Sequence, residues 1–163
     1  MEKKIKLIVL KQRYFEIVRD SELLINHNSN ERACLLIVKL KFKNENYDFA
    51  IPWRSNVPNN KKIKNLVFSL PNTSKTKPGY KACLDFRKMT PLPRRFKSND
   101  LYKKYKLYIS NDVKTACFIQ HNFSKIVKQA QNVLDYREKG QLHASYLVDI
   151  DSAIKKLKDA GYY

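Results

Sequence analysis

Glycine, histidine and cysteine are all scarce in this chain, with three of each among its 163 residues. So few glycines nearly exclude phosphate-binding loops of the glycine-rich kind, and the sequence contains neither a G-x-G-x-x-G segment nor a P-loop. It also lacks an H-E-x-x-H segment and any cysteine pair with metal-ligand spacing. The sequence therefore indicates neither a nucleotide-binding loop nor a metal motif.

The cysteines and the apolar segments favour a cytoplasmic location. Cys34, Cys83 and Cys117 each lie in an apolar run, and their odd number without an export signal predicts reduced thiols in the core. The apolar segment after the charged start is too short for a signal peptide. No stretch approaches the roughly 18 apolar residues that cross a bilayer. We therefore expect a cytoplasmic protein with no membrane partner.

Acidic residues are a minority, 15 against 33 Lys and Arg, which gives a formal net charge of +18. Such an excess repels itself and weakens the compact state unless a polyanion is bound. The hydrophobic fraction of 43% predicts a folded chain, long enough for one domain with its own core. Composition therefore favours a single nucleic-acid-binding domain over residues 1–163, with an anionic membrane surface as the second choice of partner.

Strand patterns dominate the first ninety or so residues and helical patterns the remainder. The predicted strands are 3–10, 33–42, 47–53, 65–70 and 80–89, with a hairpin turn at 43–46. The predicted helices are one within 11–25, one near 101–109, a single long helix from Ser110 or Asn111 to Gly140, and a last helix capped by Asp149 or Asp151. This distribution predicts an α+β fold with an antiparallel β-sheet core and long C-terminal helices.

The stretch Tyr47–Asn56 begins as an alternating strand, and Pro52, which has no N–H to donate, predicts that the strand lies at an edge or near its end there. Trp53, Arg54 and Ser55 would then stand together where the strand breaks into a loop. An aromatic ring, a guanidinium and a hydroxyl at one point of a basic chain favour a site that holds and acts on a phosphate.

No histidine pair or carboxylate pair competes with that stretch. His121 falls on the polar flank of a predicted helix, and Asp149 and Asp151 are explained by helix capping. RNA carries its own nucleophile, the 2′-hydroxyl, so a protein needs to align it, stabilise the phosphorane charge and move protons. Lys, Arg, Ser and Tyr suffice for this, and we expect metal-independent chemistry with no cofactor.

Four segments in order carry a family resemblance: Arg32–Val38, Tyr47–Ser55, Leu84–Pro91 and Leu101–Tyr105 before a long C-terminal helix. This ordered set resembles the ToxN/AbiQ superfamily, the endoribonuclease toxins of type III toxin–antitoxin systems, and is most similar to its CptN and TenpN branches. The resemblance covers most of the chain. It implies a compact, highly twisted antiparallel sheet surrounded by helices.

The resemblance also implies an activity and partners. It implies metal-independent cleavage of cellular mRNA and of the toxin's own repeat RNA precursor, leaving a 2′,3′-cyclic phosphate and a 5′-hydroxyl. The implied inhibitor is a small, repeat-derived, pseudoknotted RNA antitoxin in an RNA-mediated heteromeric assembly. A non-catalytic RNA-binding regulatory or ribosome-associated protein would explain the charge equally well.

Site residues follow from the same resemblance. Ser55 matches the serine of the family's strand-end motif, Arg54 stands where ToxN-like members have threonine, and Val57 replaces a lysine two residues after the serine. The charge-stabilising cation is therefore Arg54 itself, Arg32 or Lys88.

Two further positions match the family. Asp85 occupies an often polar position that is commonly Asn, and Tyr14 falls where the family has an N-terminal tyrosine. Asp85 has the alternative of a plain ion-pair partner, and Tyr14 that of a core residue. The candidate catalytic residues are Ser55, Arg54, Arg32, Asp85, Lys88 and Tyr14. The candidate RNA-binding residues are Lys39, Lys41, Trp53, Lys61, Lys62, Arg87, Arg94 and Arg95.

Overall fold

The computed structural model describes residues 4–26, 31–94, 99–107, 110–142 and 146–163. Its strands are β1 (Lys6–Leu10), β2 (Cys34–Phe42), β3 (Glu45–Pro58), β4 (Val67–Ser69), β5 (Tyr80–Asp85), β6 (Thr90–Leu92) and β7 (Tyr102–Lys104). Its helices are α1 (Gln12–Val18), α2 (Ser110–His121), α3 (Phe123–Glu138) and α4 (Ile150–Asp159), and 3₁₀ helices span Lys61–Leu66 and Phe86–Lys88.

Within the described residues, seven antiparallel strands form a sheet of order β4-β5-β3-β2-β1-β7, with β6 paired to β3. β3 is central because it pairs with β2 along one side and with β6 and then β5 along the other. The predicted α+β class, with an antiparallel sheet and helices in the C-terminal part, is confirmed. No helix in the described part of the chain is long and apolar enough to cross a membrane.

Of the two alternatives at Pro52, a strand end is wrong, since β3 continues to Pro58, whereas a locally unpaired edge agrees with the structure. The Trp53 N–H donates to the Ala33 carbonyl at 2.9 Å, so the Pro52 nitrogen faces away from β2. On that side β6 pairs only as far as Ala50 and β5 pairs only from Trp53 onward. The proline nitrogen falls between the two partners, and no ladder hydrogen bond is lost.

Helices pack on both faces of the sheet, and β3 contributes to both cores. Phe49 and Ile51 join a cluster that includes side chains of α2, α3 and α4. Ala50 joins a second cluster with α1 and other positions of α4. All three residues are fully buried, so the predicted alternation is right, but the second face of this strand is also covered.

The long C-terminal helix is two helices, which corrects the prediction of one. α2 ends at His121 and α3 starts at Phe123, with Asn122 between them at φ −105° and ψ 11°. The Asn122 amide donates to the Phe118 carbonyl at 2.8 Å, so its side chain satisfies the end of α2 locally. Gly140, with φ +67°, follows α3 as predicted.

Two other predicted elements differ. Tyr102–Lys104 is a strand paired with β1 rather than a helix, because the edge of β1 needs a hydrogen-bonding partner. The strand predicted over 80–89 stops at Asp85, whose carboxylate accepts from the Arg87 backbone N–H at 3.1 Å and starts a 3₁₀ turn. Tyr108 and Ile109 lie outside the described residues.

The helix predicted within 11–25 is shorter than expected, and the last helix begins as expected. α1 ends at Val18, and Arg19 follows with φ +47°. Asp149 caps α4 by accepting from the Ser152 N–H at 3.0 Å. Cys34 and Cys83 are buried thiols as predicted, but Cys117 is exposed on α2.

A bulge in β2 gives the first testable prediction. The register shifts between Ile37 and Leu40, and Lys39 has φ +58°, a left-handed conformation that costs a non-glycine residue about 1–2 kcal/mol. We expect Lys39→Gly to raise the free energy of unfolding by about 1 kcal/mol. Lys41→Gly, which also removes an exposed lysine but from extended backbone, should lower it by about 0.5–1 kcal/mol. Urea unfolding of both variants checks the bulge, and a Lys39→Gly protein no more stable than wild type contradicts it.

Candidate active site

A buried carboxylate at the end of β5 holds two arginines. Asp85 has no exposed side-chain surface and accepts a hydrogen bond from Arg54 Nη1 at 2.8 Å. It also accepts from Arg87 Nε at 2.9 Å and Arg87 Nη2 at 2.8 Å, a bidentate pair, and from the Arg87 backbone N–H. We call Arg54, Asp85 and Arg87 the Asp85 clasp.

The strand register explains how the chain builds this clasp. Arg54 pairs with Cys83 across β3 and β5, so Asp85, two residues further on, lies diagonally on the same face. Arg87 follows Asp85 by two residues in the turn that the carboxylate caps. The arginine side chains are 25% and 16% exposed for Arg54 and Arg87, so both guanidiniums reach solvent from a buried anchor.

The clasp keeps the carboxylate charged. Burial alone would raise the pKa of Asp85, but the hydrogen bonds and charges of Arg87 and Arg54 outweigh it and lower the pKa below its usual value. The hydrogen bond to Asp85 raises the pKa of Arg87 in return. Asp85 therefore stays ionised near neutral pH, and its hydrogen bonds hold Arg54 and Arg87 in place.

A third guanidinium lies beside the clasp. Cys34 pairs with Pro52, and the Ala33 carbonyl accepts a hydrogen bond from the Trp53 N–H. Continued by two residues, the same register places Arg32 opposite Arg54. Burial lowers the pKa of Arg32, the Cys34 thiol opposes this, and the positive charge of Arg54 lowers it further. The structure thus brings together three cations and one anion on one face of the sheet.

Lys88 is held by a residue that the sequence did not single out. Its ammonium pairs with the Glu22 carboxylate, and both side chains are largely shielded from solvent. The hydrogen bond from Arg87 to Asp85 is the largest cause of that arginine's raised pKa, burial opposes it, and the charge of Glu22 adds a smaller increase after those of Asp85 and Cys83. No local pattern could have identified Glu22, because its contact with Lys88 spans 66 positions of the chain.

Ser55 lies in a second bulge rather than at a strand end. Arg54 pairs with Cys83 and Val57 with Lys81, so Ser55 and Asn56 both stand opposite the single residue between those partners. Alternation puts Arg54 on one face of β3 and Ser55 on the other. Ser55 is half-buried, and its hydroxyl has no hydrogen-bond partner among the described residues.

Asn56, the neighbour of Ser55, fastens the loop 71–79. Its Nδ2 donates to the Lys75 carbonyl at 2.9 Å, and its Oδ1 accepts from the Lys77 N–H at 2.7 Å. This loop has no helix or strand, yet its backbone is tied to β3 beside the bulge.

Tyr14 is in the core. It has no exposed surface, and its hydroxyl donates to the Pro91 carbonyl at 2.6 Å and also bonds the Thr90 hydroxyl at 2.6 Å. Burial raises the pKa of Tyr14 well above its usual value. The placement favours the core alternative for Tyr14 and gives it no access to a substrate.

The candidate RNA-binding residues are dispersed. Arg87 is part of the clasp, and Trp53 is half-buried against the first core. Arg94 Nε donates to the buried Asp48 carboxylate at 2.6 Å. Asp48 lies about 20 Å from Arg54 along β3, at roughly 3.3 Å per residue. Exposed lysines on β2 and in the first 3₁₀ helix complete the set: Lys39, Lys41, Lys61 and Lys62. Arg95, His27 and His143 lie outside the described residues.

Among the residues that the structure describes, no three His, Cys, Asp or Glu side chains are grouped so that they could hold a metal ion.

Comparisons with known proteins give a match in structure only. No protein-family profile and no curated protein sequence matches the chain. The structure of AbiQ, a lactococcal anti-phage endoribonuclease of a type III toxin–antitoxin system, aligns at TM-score 0.73 and 15% identity, covering 99% of this chain and 100% of AbiQ. ToxN, from work on a bacterial antiviral system regulated by a processed non-coding RNA, aligns at TM-score 0.71 and 15% identity, covering 96% and 99%.

The chain has the ToxN/AbiQ fold. Matches over the full length of both solved proteins confirm the architecture that the ordered segments implied.

The clasp of this ToxN/AbiQ-fold chain gives a stability prediction. Asp85→Asn leaves two guanidiniums without their anion, and we expect it to lower the free energy of unfolding at pH 7 by about 3–5 kcal/mol. Because folding lowers the pKa of Asp85, this contribution is present above the unfolded value of about 3.9 and is lost as pH falls through the folded pKa. The free energies of unfolding of the wild type and the variant should therefore approach each other as the pH is lowered.

Urea unfolding at pH 7 and at steps down to about pH 3 measures the difference. Asp159→Asn is the matched control, because Asp159 forms an exposed ion pair on α4 and should change stability by no more than about 1 kcal/mol. A gap between wild type and Asp85→Asn that is independent of pH would contradict the electrostatic role of the clasp.

Proposed function

We propose that this chain is an endoribonuclease toxin of a type III toxin–antitoxin system that cleaves RNA without a metal ion. The observation that carries the proposal is the Asp85 clasp with Arg32 beside it, a fixed group of guanidiniums that is open to solvent. The net charge of +18 and the fold shared with AbiQ support the same conclusion.

The clasp suits a phosphodiester. A guanidinium has five N–H donors, and the described contacts of Arg54 with Asp85 use one of them. The remaining donors can take the non-bridging oxygens of a phosphate, with Arg32 adding a second cation across the strand pair. Because Asp85 fixes Arg54 and Arg87 beforehand, little side-chain reorganisation is needed when RNA binds.

The proposed reaction uses the RNA's own 2′-hydroxyl. Its oxygen bonds to phosphorus to give a pentavalent intermediate, which then expels the 5′-oxygen; the 2′-hydroxyl proton passes to water, and the leaving oxygen takes a proton from water. The products are a 2′,3′-cyclic phosphate and a 5′-hydroxyl. Arg54 and Arg32 stabilise the negative charge of the pentavalent intermediate. Lys88, held by Glu22, adds a further cation at the side of this arginine group.

The proposed partners are RNA. The substrates are cellular mRNA and the toxin's own repeat precursor in the cytoplasm. The inhibitor is a small pseudoknotted RNA that stays bound in a heteromeric assembly and restrains a toxin that acts in phage defence. Support comes from ToxN, whose antiviral system is regulated by a processed non-coding RNA.

Cleavage in chelator tests the chemistry. Purified protein incubated with RNA in EDTA should cleave it, leaving cyclic phosphate ends.

Arg54→Ala should lower the single-turnover rate by about 10²–10³, the usual effect of removing one transition-state donor. Arg13→Ala, which removes an exposed arginine on α1, is the control and should stay within a few-fold of wild type. Loss of all cleavage in EDTA would overturn the metal-free reaction, and binding without any cleavage would favour the non-catalytic RNA-binding alternative.

Ser55 has a test of its own, because the bulge turns it away from Arg54. If its hydroxyl contacts the reacting ribose or phosphate, Ser55→Ala should lower the cleavage rate at least about tenfold while leaving RNA affinity unchanged. Ser152→Ala on α4 is the matched control. If Ser55→Ala cleaves RNA at the wild-type rate, Ser55 takes no part in the reaction. If the double variant Ser55→Ala/Arg54→Ala also cleaves at the wild-type rate, the reaction does not take place at this site.

A further inference from the structure

A basic groove lies between the 3₁₀ helix Lys61–Leu66 and α3, apart from the Asp85 clasp. None of its described lining residues is acidic. The residues that line it include Lys64, Lys125, Lys128, Gln129, Asn132 and Tyr136. With Asn65, the groove has three lysines, three side-chain amides and a tyrosine, which offer cations, hydrogen-bond donors and an aromatic ring to one ligand.

The groove is built on a rigid helix face. Its α3 residues recur at spacings of three and four, which places them on one side of the helix, while the opposite side is buried in the first core. Gln129 Nε2 donates to the carbonyls of Asn65 at 3.1 Å and Val67 at 3.0 Å. This amide ties the 3₁₀ helix to α3, so the two walls of the groove are held together.

The charged and aromatic groups of the groove are available. Lys125 and Lys128 are exposed, and neither forms an ion pair within the part of the chain that the structure describes. Tyr136 is 45% exposed, so much of its side chain is open to a ligand. Lysines that track a phosphate backbone beside a ring that can stack a base are the means by which proteins bind single-stranded nucleic acid.

The pairing of β4 with β5 sets an upper limit on the distance between the groove and the Asp85 clasp. Val67 pairs directly with Asp85, and Lys64 precedes Val67 by three residues. Paired Cα atoms lie about 5 Å apart and consecutive ones about 3.8 Å, so the Cα atoms of Lys64 and Asp85 are within about 17 Å. Alternation puts Arg54 and Asp85 on the face opposite Trp53, which packs on the α3 side, so an RNA that reaches both places passes around the edge of the sheet at β4.

We propose that this groove is a second RNA-binding site, which holds a single-stranded segment with its phosphates on Lys64, Lys125 and Lys128 and a base stacked on Tyr136. No bond is made or broken there. The site acts on affinity for RNA and not on the cleavage step. The inference rests on the proposed function only in taking RNA as the partner.

A binding measurement with an uncleavable probe tests the site. The probe is a fluorescent single-stranded RNA of roughly 16 nucleotides with every 2′-hydroxyl methylated, followed by anisotropy. The variant Lys125→Gln/Lys128→Gln should bind about tenfold more weakly near 0.1 M salt, and its salt slope should be shallower by about 1.4. The control Lys114→Gln/Lys158→Gln removes two exposed helix lysines elsewhere and should bind like wild type. Equal affinities for the two double variants overturn the proposal.

Tyr136 separates stacking from a hydroxyl contact. Tyr136→Ala should weaken binding at least about fivefold, whereas Tyr136→Phe, which keeps the ring, should bind like wild type. Equal losses in both variants overturn the stacking assignment.

Cleavage of unmodified RNA distinguishes this inference from the proposed function. The Lys125→Gln/Lys128→Gln protein should keep its single-turnover rate at saturating RNA and need more RNA to saturate. A wild type that binds the probe through the groove and never cleaves would overturn the proposed function and support the second site. If the wild type cleaves RNA, and neither the Lys125→Gln/Lys128→Gln substitutions nor Tyr136→Ala weakens binding of the probe, the second site alone is overturned.

Discussion

The buried carboxylate of Asp85 is the interaction on which the candidate site depends. A charge with no solvent contact is tolerated only when paired and hydrogen-bonded, and Asp85 receives donors from Arg54 and from both the side chain and the backbone of Arg87. The same contacts that compensate the carboxylate fix the two arginines. Stability of the end of β5 and preorganisation of the cations are therefore one property of the fold.

β3 links that site to the core. Its first half supplies side chains to clusters on both faces of the sheet, and its second half carries Arg54 and the Ser55–Asn56 bulge. The strand changes partners around Pro52, from β2 and β6 to β5, without losing a backbone hydrogen bond. The position of Arg54 is set by this strand, which runs through the core, and not by a flexible loop.

Local patterns predicted the features that depend on nearby residues. Alternation gave the faces of β3, and of the two capping candidates Asp149 and Asp151, Asp149 starts α4. Ordered short segments were enough to suggest the ToxN/AbiQ architecture that the structural matches confirm.

Features that depend on distant partners were missed. Whether Pro52 ends a strand depends on which strands lie beside its nitrogen, and the pairing of Tyr102–Lys104 depends on the open edge of β1. Asn122 fits the spacing of one helix, so nothing local revealed the break there. The Arg54–Asp85 contact required the register of β3 on β5, which the sequence alone does not provide.

The ion pair between Arg54 and Asp85 also constrains how this position can vary among related chains. A buried carboxylate without the guanidinium would be left undercompensated, and a guanidinium without the carboxylate would lose its anchor. The two positions should therefore change together, as arginine with aspartate or as a neutral pair.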